Sequence, residues 1–558
     1  MNAAVVGLGA ITLFIIAYRF YGTFISRRIF NLEESDRLML PTPAQEFNDG
    51  VDFVPTKKAI LVGHHFSSIA GAAPIVGPAV AAIWGWLPAM IWIVCGVIFM
   101  GACHDFGALV LSMRHRGESM VGVAGELLGK RAKALFLVVI FFLVWMVIAV
   151  FALVIANLFI KFPAAVIPVN FEIIIAIVMG IFINKKGKSL TIPSLLAQAA
   201  LTIMIIIGSY YPISLRAYFG EAELMTWITF LLIYSFIASV LPVWVLLQPR
   251  DYINSHQLVV GLTLMIVGLA IVQPQIVAPA LNLHPPGAPP WFPFLFITIA
   301  CGAISGFHGL VSGGTTSKQV TTWQDAKPIA FGSMLLEGTL AVLATLAVTA
   351  GFKTSLAWHT HYASWNQANG LSQKIAAFVL GAGRFVSGLG IPEEISRTVI
   401  AVLIISFAAT SLDTACRIQR YIIGEFGDFI KVPVLKNRYV GSSIAVLSAF
   451  LLMLASPGGK GGLYLWPLFG ATNQMLAALT LILITIYLIK NKKSYKAYLI
   501  PALLVLTVTT LGLVQNISSY YQNDQMALLA LGCVLLAAQI WVIIEAMISV
   551  ASLKNKLA

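Results

Sequence analysis

The sequence predicts an all-α, polytopic membrane protein of about fifteen transmembrane helices, N-terminus out and C-terminus in, with discontinuous helices in an inverted-repeat core. Three observations predict it. Of the 558 residues, 59% are hydrophobic and 10% charged, and the mean hydropathy is +0.90, a composition outside the range of soluble domains. Apolar runs long enough to cross a bilayer recur from one end of the chain to the other. One of them, Gly63-His-His-Phe-Ser-Ser-Ile-Ala-Gly-Ala-Ala-Pro-Ile-Val-Gly-Pro78, places two histidines, two serines, three glycines and two prolines inside an apolar segment. Such residues leave backbone groups unpaired, which hydrocarbon tolerates only where protein or a water-filled cavity surrounds them.

In order, spans of roughly 18 to 28 residues are predicted at 3–26, 59–83, 87–113, 133–160, 167–184, 190–213, 226–247, 257–281, 291–313, 328–351, 393–413, 439–456, 463–489, 497–516 and 526–551. The first lacks the basic start and small-residue cleavage site of a signal peptide and is expected to stay. The stretch 371–390 is read as an outer surface segment, because Lys374, Arg384 and four glycines interrupt it. Charge placement supports this count. With N-out topology, 27 of the 35 basic residues face inward, as the positive-inside rule requires. Making 371–390 a span would turn the basic segment 417–438 outward. The net charge of +13 then belongs to loops facing an anionic leaflet and implies no nucleic-acid partner. The five cysteines (Cys95, Cys103, Cys301, Cys416, Cys533) fall in or beside spans without metal or disulfide spacing. The chain reads as one membrane domain: a leading helix and polar loop at 1–58, the repeat core at 59–456, and accessory helices at 457–558. It shows no Gly-x-x-x-x-Gly-Lys-Ser/Thr loop and no room for a nucleotide domain, so transport driven by an ion gradient leads over a primary pump.

Several motifs carry a family resemblance. Thr42-Pro-Ala-Gln-Glu-Phe-Asn-Asp-Gly50 with Phe53-Val-Pro-Thr56, Gly63-His-His-Phe66, Gln248-Pro-Arg-Asp-Tyr252, Ser312-Gly-Gly-Thr-Thr-Ser-Lys-Gln319, Ser411-Leu-Asp-Thr414 and Trp466-Pro-Leu-Phe-Gly470 with Asn473-Gln474 resemble the carbon starvation protein A (CstA) family over nearly the whole chain. The resemblance implies an importer of the bacterial inner membrane, with peptides and pyruvate as the substrates associated with different members. By analogy with the amino acid/polyamine/organocation superfamily it also implies a LeuT-like core. Two repeat pairings fit the sequence. One sets the second span against the seventh and gives five plus five helices; the other sets the second against the ninth and gives seven plus seven.

Ionisable and hydroxyl-bearing residues inside spans are the site candidates: His64, His65, Ser67 and Ser68 on the second span, Asp105 beside His104 on the third, Ser235 and Ser239 on the seventh, and Ser305, His308, Ser312, Thr315, Thr316 and Lys318 on the ninth. Glu337 and Asp413 complete the set. Bland readings stand beside these. Asp105 can pair with Arg114, Asp413 with Arg417 four residues on, the histidines can cap broken backbone, and Lys318 can be an inner anchor. Adjacent histidines lie about 100° apart on a helix, so no metal site is expected, and no cofactor is needed beyond a coupling ion. That ion is expected to be H⁺, since histidine titrates near neutrality, with Na⁺ open because of the hydroxyl-rich ninth span. The expected partners are a small-molecule substrate and membrane lipid. With Lys318 and Arg250 as the main cations, the expected substrate is a small monocarboxylate such as pyruvate, imported with one proton. Peptide or amino-acid import is the alternative, and a channel or membrane sensor a further class. The absence of HExxH and Gly-x-Ser-x-Gly motifs speaks against an intramembrane enzyme.

Overall fold

A chain so rich in Leu, Ile, Val, Ala and Phe and so poor in charge pairs its backbone internally, as helix. The computed structural model describes residues 1–186, 191–368, 370–456 and 461–557, and apart from two isolated bridges these are helices and connecting turns. Lys188 and Lys460, both counted in the charge bias, and the start of the accessory segment at 457 lie outside the described residues. Leaving aside short connecting helices, in chain order the helices are α1 (Ala3–Ile29), α2 (Lys58–Ile69), α3 (Ala73–Trp84), α4 (Trp86–Arg114), α5 (Met120–Leu128), α6 (Lys130–Lys161), α7 (Val166–Lys186), α8 (Thr191–Tyr210), α9 (Glu223–Val240) and α10 (Leu247–Val272). There follow α11 (Trp291–Thr298), α12 (Ala300–Ala303), α13 (Gly306–Gly314), α14 (Trp323–Ala350), α15 (Leu371–Ser387), α16 (Glu393–Phe429), α17 (Arg438–Leu454), α18 (Trp466–Lys490), α19 (Lys496–Gln522) and α20 (Met526–Leu557).

Among the described residues twelve helices are long and apolar enough to cross a bilayer, and the pair α2/α3, bent by 44°, makes a thirteenth. The 17-residue α17 and the broken run α11–α13 occupy the places of the other two expected spans. Segment 371–390 is not among the twelve. It forms α15, which buries Ile375, Phe378, Val379, Phe385 and Val386 against α14 and α16.

Two spans are broken. In the first, α2 stops at Ile69 and α3 starts at Ala73 with Pro74 in its opening turn, where no backbone bond is lost. A Cβ on Gly71, between them, would fall 2.6 Å from the Phe151 ring and 2.7 Å from Ser411 Oγ, so a bare backbone is what lets the break press against α6 and α16. In the second, Ile304 and Ser305 are extended between α12 and α13. Gly306 leaves no room for a Cβ, which would lie 2.4 Å from the Asn473 carbonyl on α18.

The packing pattern is a five-plus-five inverted repeat, with a pairing that differs from the first one the sequence offered. The first half is the broken span α2/α3, then α4, α6, α9 and α10; the second is the broken span α11–α13, then α14, α16, α17 and α18. Long α6 packs against long α16, α9 against α17, α2 against α10 as α13 against α18, and the short helices α5 and α15 lie on α6 and α16 respectively. The second helix of each half even carries a π turn, at Val97–Gly101 and Lys327–Gly332. The second span therefore matches the ninth, not the seventh, and the hairpin α7–α8 is an insertion in the first half that made the count look like seven. An odd number of spans per half makes the second half enter from the opposite side.

Two boundaries also move. Gln248-Pro-Arg-Asp251 opens α10 instead of closing the seventh span, because Pro249 is tolerated in a first turn. The eleventh span runs on to Phe429, since the polar residues after 413 are buried against neighbouring helices.

Candidate functional site

The two broken spans, α4, α10, α14 and α16 surround a buried polar centre. From the first break, His64 Nδ1 meets the Asp251 carboxylate of α10 and His64 Nε2 lies 3.4 Å from Thr315 Oγ1. His65 Nδ1 lies 2.9 Å from Thr316 Oγ1, and its Nε2 has no hydrogen-bond partner. Neither histidine caps broken backbone. Ser67 Oγ donates to the Gly63 carbonyl at 2.7 Å, and Ser68 Oγ lies 3.2 Å from Thr414 Oγ1 of α16.

One turn away, a line of four titratable groups crosses between the halves. Asp105 of α4 receives His104 Nδ1 at 2.8 Å on one oxygen and His308 Nδ1 of α13 at 3.0 Å on the other. His308 Nε2 in turn lies 3.3 Å from Glu337 Oε2 of α14. All four side chains are buried, and neither Glu337 oxygen makes a hydrogen bond. Asp105 is thus not paired with Arg114, which donates to Tyr487 OH at 3.0 Å and to the Phe30 carbonyl.

Asp413 departs from its four-residue neighbour in the same way. It pairs with Arg250 and accepts from Tyr234 OH at 2.7 Å, while Arg250 Nε lies 3.4 Å from Glu172. Arg417 goes to Asp52 at 3.0 Å, joined there by Arg420 at 3.2 Å and Tyr421 OH at 2.6 Å. Burial raises the Asp52 carboxyl, but Arg420, Arg417 and the Tyr421 hydroxyl outweigh it and hold Asp52 below the ordinary carboxylate range. This clamp lies on the face that carries the basic loops. Lys318 belongs to it, with Nζ 4.1 Å from the Tyr421 ring centroid and 5.3 Å from that of Phe53.

The remaining candidates are structural in their contacts. Ser235 back-bonds to the Leu231 carbonyl at 2.8 Å, and Ser239 meets Ser442 at 2.9 Å. Ser305 hydrogen-bonds Asn473, whose Oδ1 also accepts the Phe307 N–H at 2.9 Å, so Asn473 satisfies the second break. Ser312 Oγ is buried without a partner. The structure brings His64, His65, Thr315 and Thr316 together, and Asp105, His308 and Glu337 together. It leaves Lys318 and Arg250, the expected anion-binding cations, each engaged elsewhere.

Asp251 and Glu172 were missed as site residues. Asp251 lay in a motif placed at the end of the seventh span, and Glu172 is an acid inside the apolar fifth span, the signal that singles out an intramembrane charge. On the other face, against both breaks, lies a cavity of about 970 Å³ between α3, α11, α12 and α18. Among the described residues its one charged lining residue is Lys374 of α15, which the sequence assigned to the surface.

The profile of the carbon starvation protein CstA family matches residues 2–358 and 351–512. The chain is 33% identical over 563 residues to the peptide transporter CstA of Bacillus subtilis (strain 168), covering 94% of this chain and 92% of that one. It is 31% identical over 609 residues to the pyruvate/proton symporter BtsT of Escherichia coli (strain K12), covering 94% and 82%. Among solved structures it is similar to MhsT in complex with L-phenylalanine, at a TM-score of 0.47 and 12% identity over 88% of this chain and 99% of that one.

Proposed function

This chain belongs to the carbon starvation protein CstA family, and from that membership we propose that it imports a small monocarboxylate, pyruvate or a close analogue, together with one proton, by alternating access. It is a secondary transporter and not an enzyme, a multi-pass protein of the bacterial inner membrane that moves a small molecule. The observation that carries the proton-coupled reading is the line His104–Asp105–His308–Glu337. Its members come from α4 in one half and from α13 and α14 in the other. Intramembrane ionisable groups are costly and mark proton or ion paths, and histidine titrates in the physiological range. A proton held between Asp105 of α4 and His308 of α13 bridges elements of both halves, so loading or releasing it changes how the halves attract each other. That difference is what a coupled carrier needs, because a ligand shifts a conformational equilibrium only by its differential affinity for the two states.

Peptide import is the second reading, favoured by the peptide transporters among the relatives. The cavity against the two breaks supports the monocarboxylate instead: its described lining includes one ammonium and no carboxylate to receive a peptide's amino terminus. Pyruvate with one proton is electroneutral, whereas a zwitterionic peptide with one proton gains roughly 2.3 kcal/mol from each 100 mV of potential.

Proteoliposomes test this. An imposed inward proton gradient should drive pyruvate accumulation without a sustained current on a solid-supported membrane. Accumulation driven by a Na⁺ gradient alone, or a potential-sensitive current with dipeptides and no pyruvate uptake, would overturn the proposal.

A further inference from the structure

Beyond the proton line, Lys374 is a buried charge that no opposite charge among the described residues neutralises. Lys374 is 3% exposed, and its ammonium sits over the Trp466 ring at 5.5 Å from the centroid. Among the described residues no carboxylate pairs with it, and burial alone pulls it down to about 7. An unpaired ammonium is expensive to remove from water and is otherwise replaced by a hydrocarbon side chain at no loss of stability. Lys374 therefore calls for an anion that is present only part of the time.

The surroundings say where that anion goes. Lys374 lines the 970 Å³ cavity together with Ala73 and Gly77 of α3, Cys301 of α12, and Asn516 of α19. Helix α3 begins at Ala73, directly after the first break, so the partial positive charge of a helix N-terminal end lies beside the same space. Ala73, next to the first break, and Cys301, shortly before the second, line this cavity, and the Asp52 clamp lies on the opposite face.

We infer that this cavity is where substrate first docks, and that the Lys374 ammonium binds the substrate's free carboxylate there. The inference rests on the transport reading above for the direction of entry, but the chemistry it needs is only a carboxylate, whether of a monocarboxylate or of a peptide's C-terminus. The burial of Lys374 beside Trp466 makes such a pair stronger than it would be in water.

The test uses the full-length protein in nanodiscs and four probes: pyruvate, its neutral amide, dialanine and dialanine amide. In the wild type the acid of at least one pair should bind about tenfold or more tightly than its amide, the worth of a charge-assisted bond. Lys374→Met should lose that discrimination while melting at a temperature no lower than the wild type, because an unpaired buried charge has been removed. A purely structural lysine would give the opposite thermal result. Lys374→Arg should keep the discrimination. Pyruvate discrimination supports both this assignment and the monocarboxylate reading. Discrimination with dialanine alone, lost in Lys374→Met, supports Lys374 as the carboxylate ligand and removes the monocarboxylate reading. Acid and amide bound alike by the wild type, no binding of any probe, or discrimination that survives in Lys374→Met would overturn the assignment. Should Lys374→Met not fold, the wild-type comparison and the arginine variant decide.

Discussion

Glu337 is the residue on which coupling is most exposed to test. Its carboxyl lies 3.3 Å from His308 Nε2 and makes no hydrogen bond through either oxygen, so His308 is the group through which it can exchange a proton with the rest of the line. Glu337→Gln keeps the shape and removes the proton site. Pyruvate accumulation driven by a pH gradient should fall to the level of empty vesicles, while gradient-free counterflow of labelled for unlabelled pyruvate persists. Loss of neither would sink the relay. His64 and His65 differ in what they touch, and so in what their loss does. His64→Ala strands the Asp251 carboxylate in a buried site, a change worth about 3–5 kcal/mol, and should lower the thermal midpoint strongly; His65→Ala removes one bond to Thr316 and should lower it far less. Differential scanning of the two variants in detergent reads this difference. Asp52 behaves in the opposite sense to a neutral-range switch. Its carboxyl lies below the ordinary range, so the clamp it makes is fully present above the usual carboxylate pKa and is lost only as pH falls through the lowered value. Clamp strength should therefore be flat from pH 6 to 8, and Asp52→Asn should raise labelling of a cysteine placed at Thr56 at either pH.

At the scale of the element, the second broken span depends on a side chain from another helix. Asn473 accepts the Phe307 N–H and hydrogen-bonds Ser305, replacing the backbone bonds that the break removes. Asn473→Leu leaves a buried donor unmade, a cost of about 1–3 kcal/mol, and should lower both thermal stability and transport, whereas Thr509→Val on the accessory helix α19, which loses only a back-bond to Val505, should change transport little. Equal effects of the two would mean that the break needs no cap. The first break was legible in the sequence because glycine, serine and proline crowd 63–78. The partner that satisfies the second break was not, because Asn473 is 166 residues from Phe307 and nothing local announces their contact.

At the scale of the whole molecule, the topology makes a direct prediction. On a cysteine-free background, a cysteine at 284 should label from outside intact cells, and cysteines at 428 and 491 only after the inner face is opened; all three positions are exposed in the fold. Outside labelling at 428 would overturn the N-out arrangement. The sequence by itself determined that this chain lies in a membrane, roughly where it crosses, that one span is broken, and which side chains are too polar for lipid. These follow from composition and from the energetics of unpaired backbone, both local along the chain. Only the tertiary structure decided which partners those side chains choose: Asp413 with Arg250 and not Arg417, Asp105 with two histidines and not Arg114. It also decided that α7–α8 is an insertion, and that Lys374 of a surface-like helix is a buried cation with no carboxylate partner among the described residues. A buried charge is paired by whichever opposite charge the packing brings within a few ångströms, and spacing along one helix does not fix what the other helices deliver.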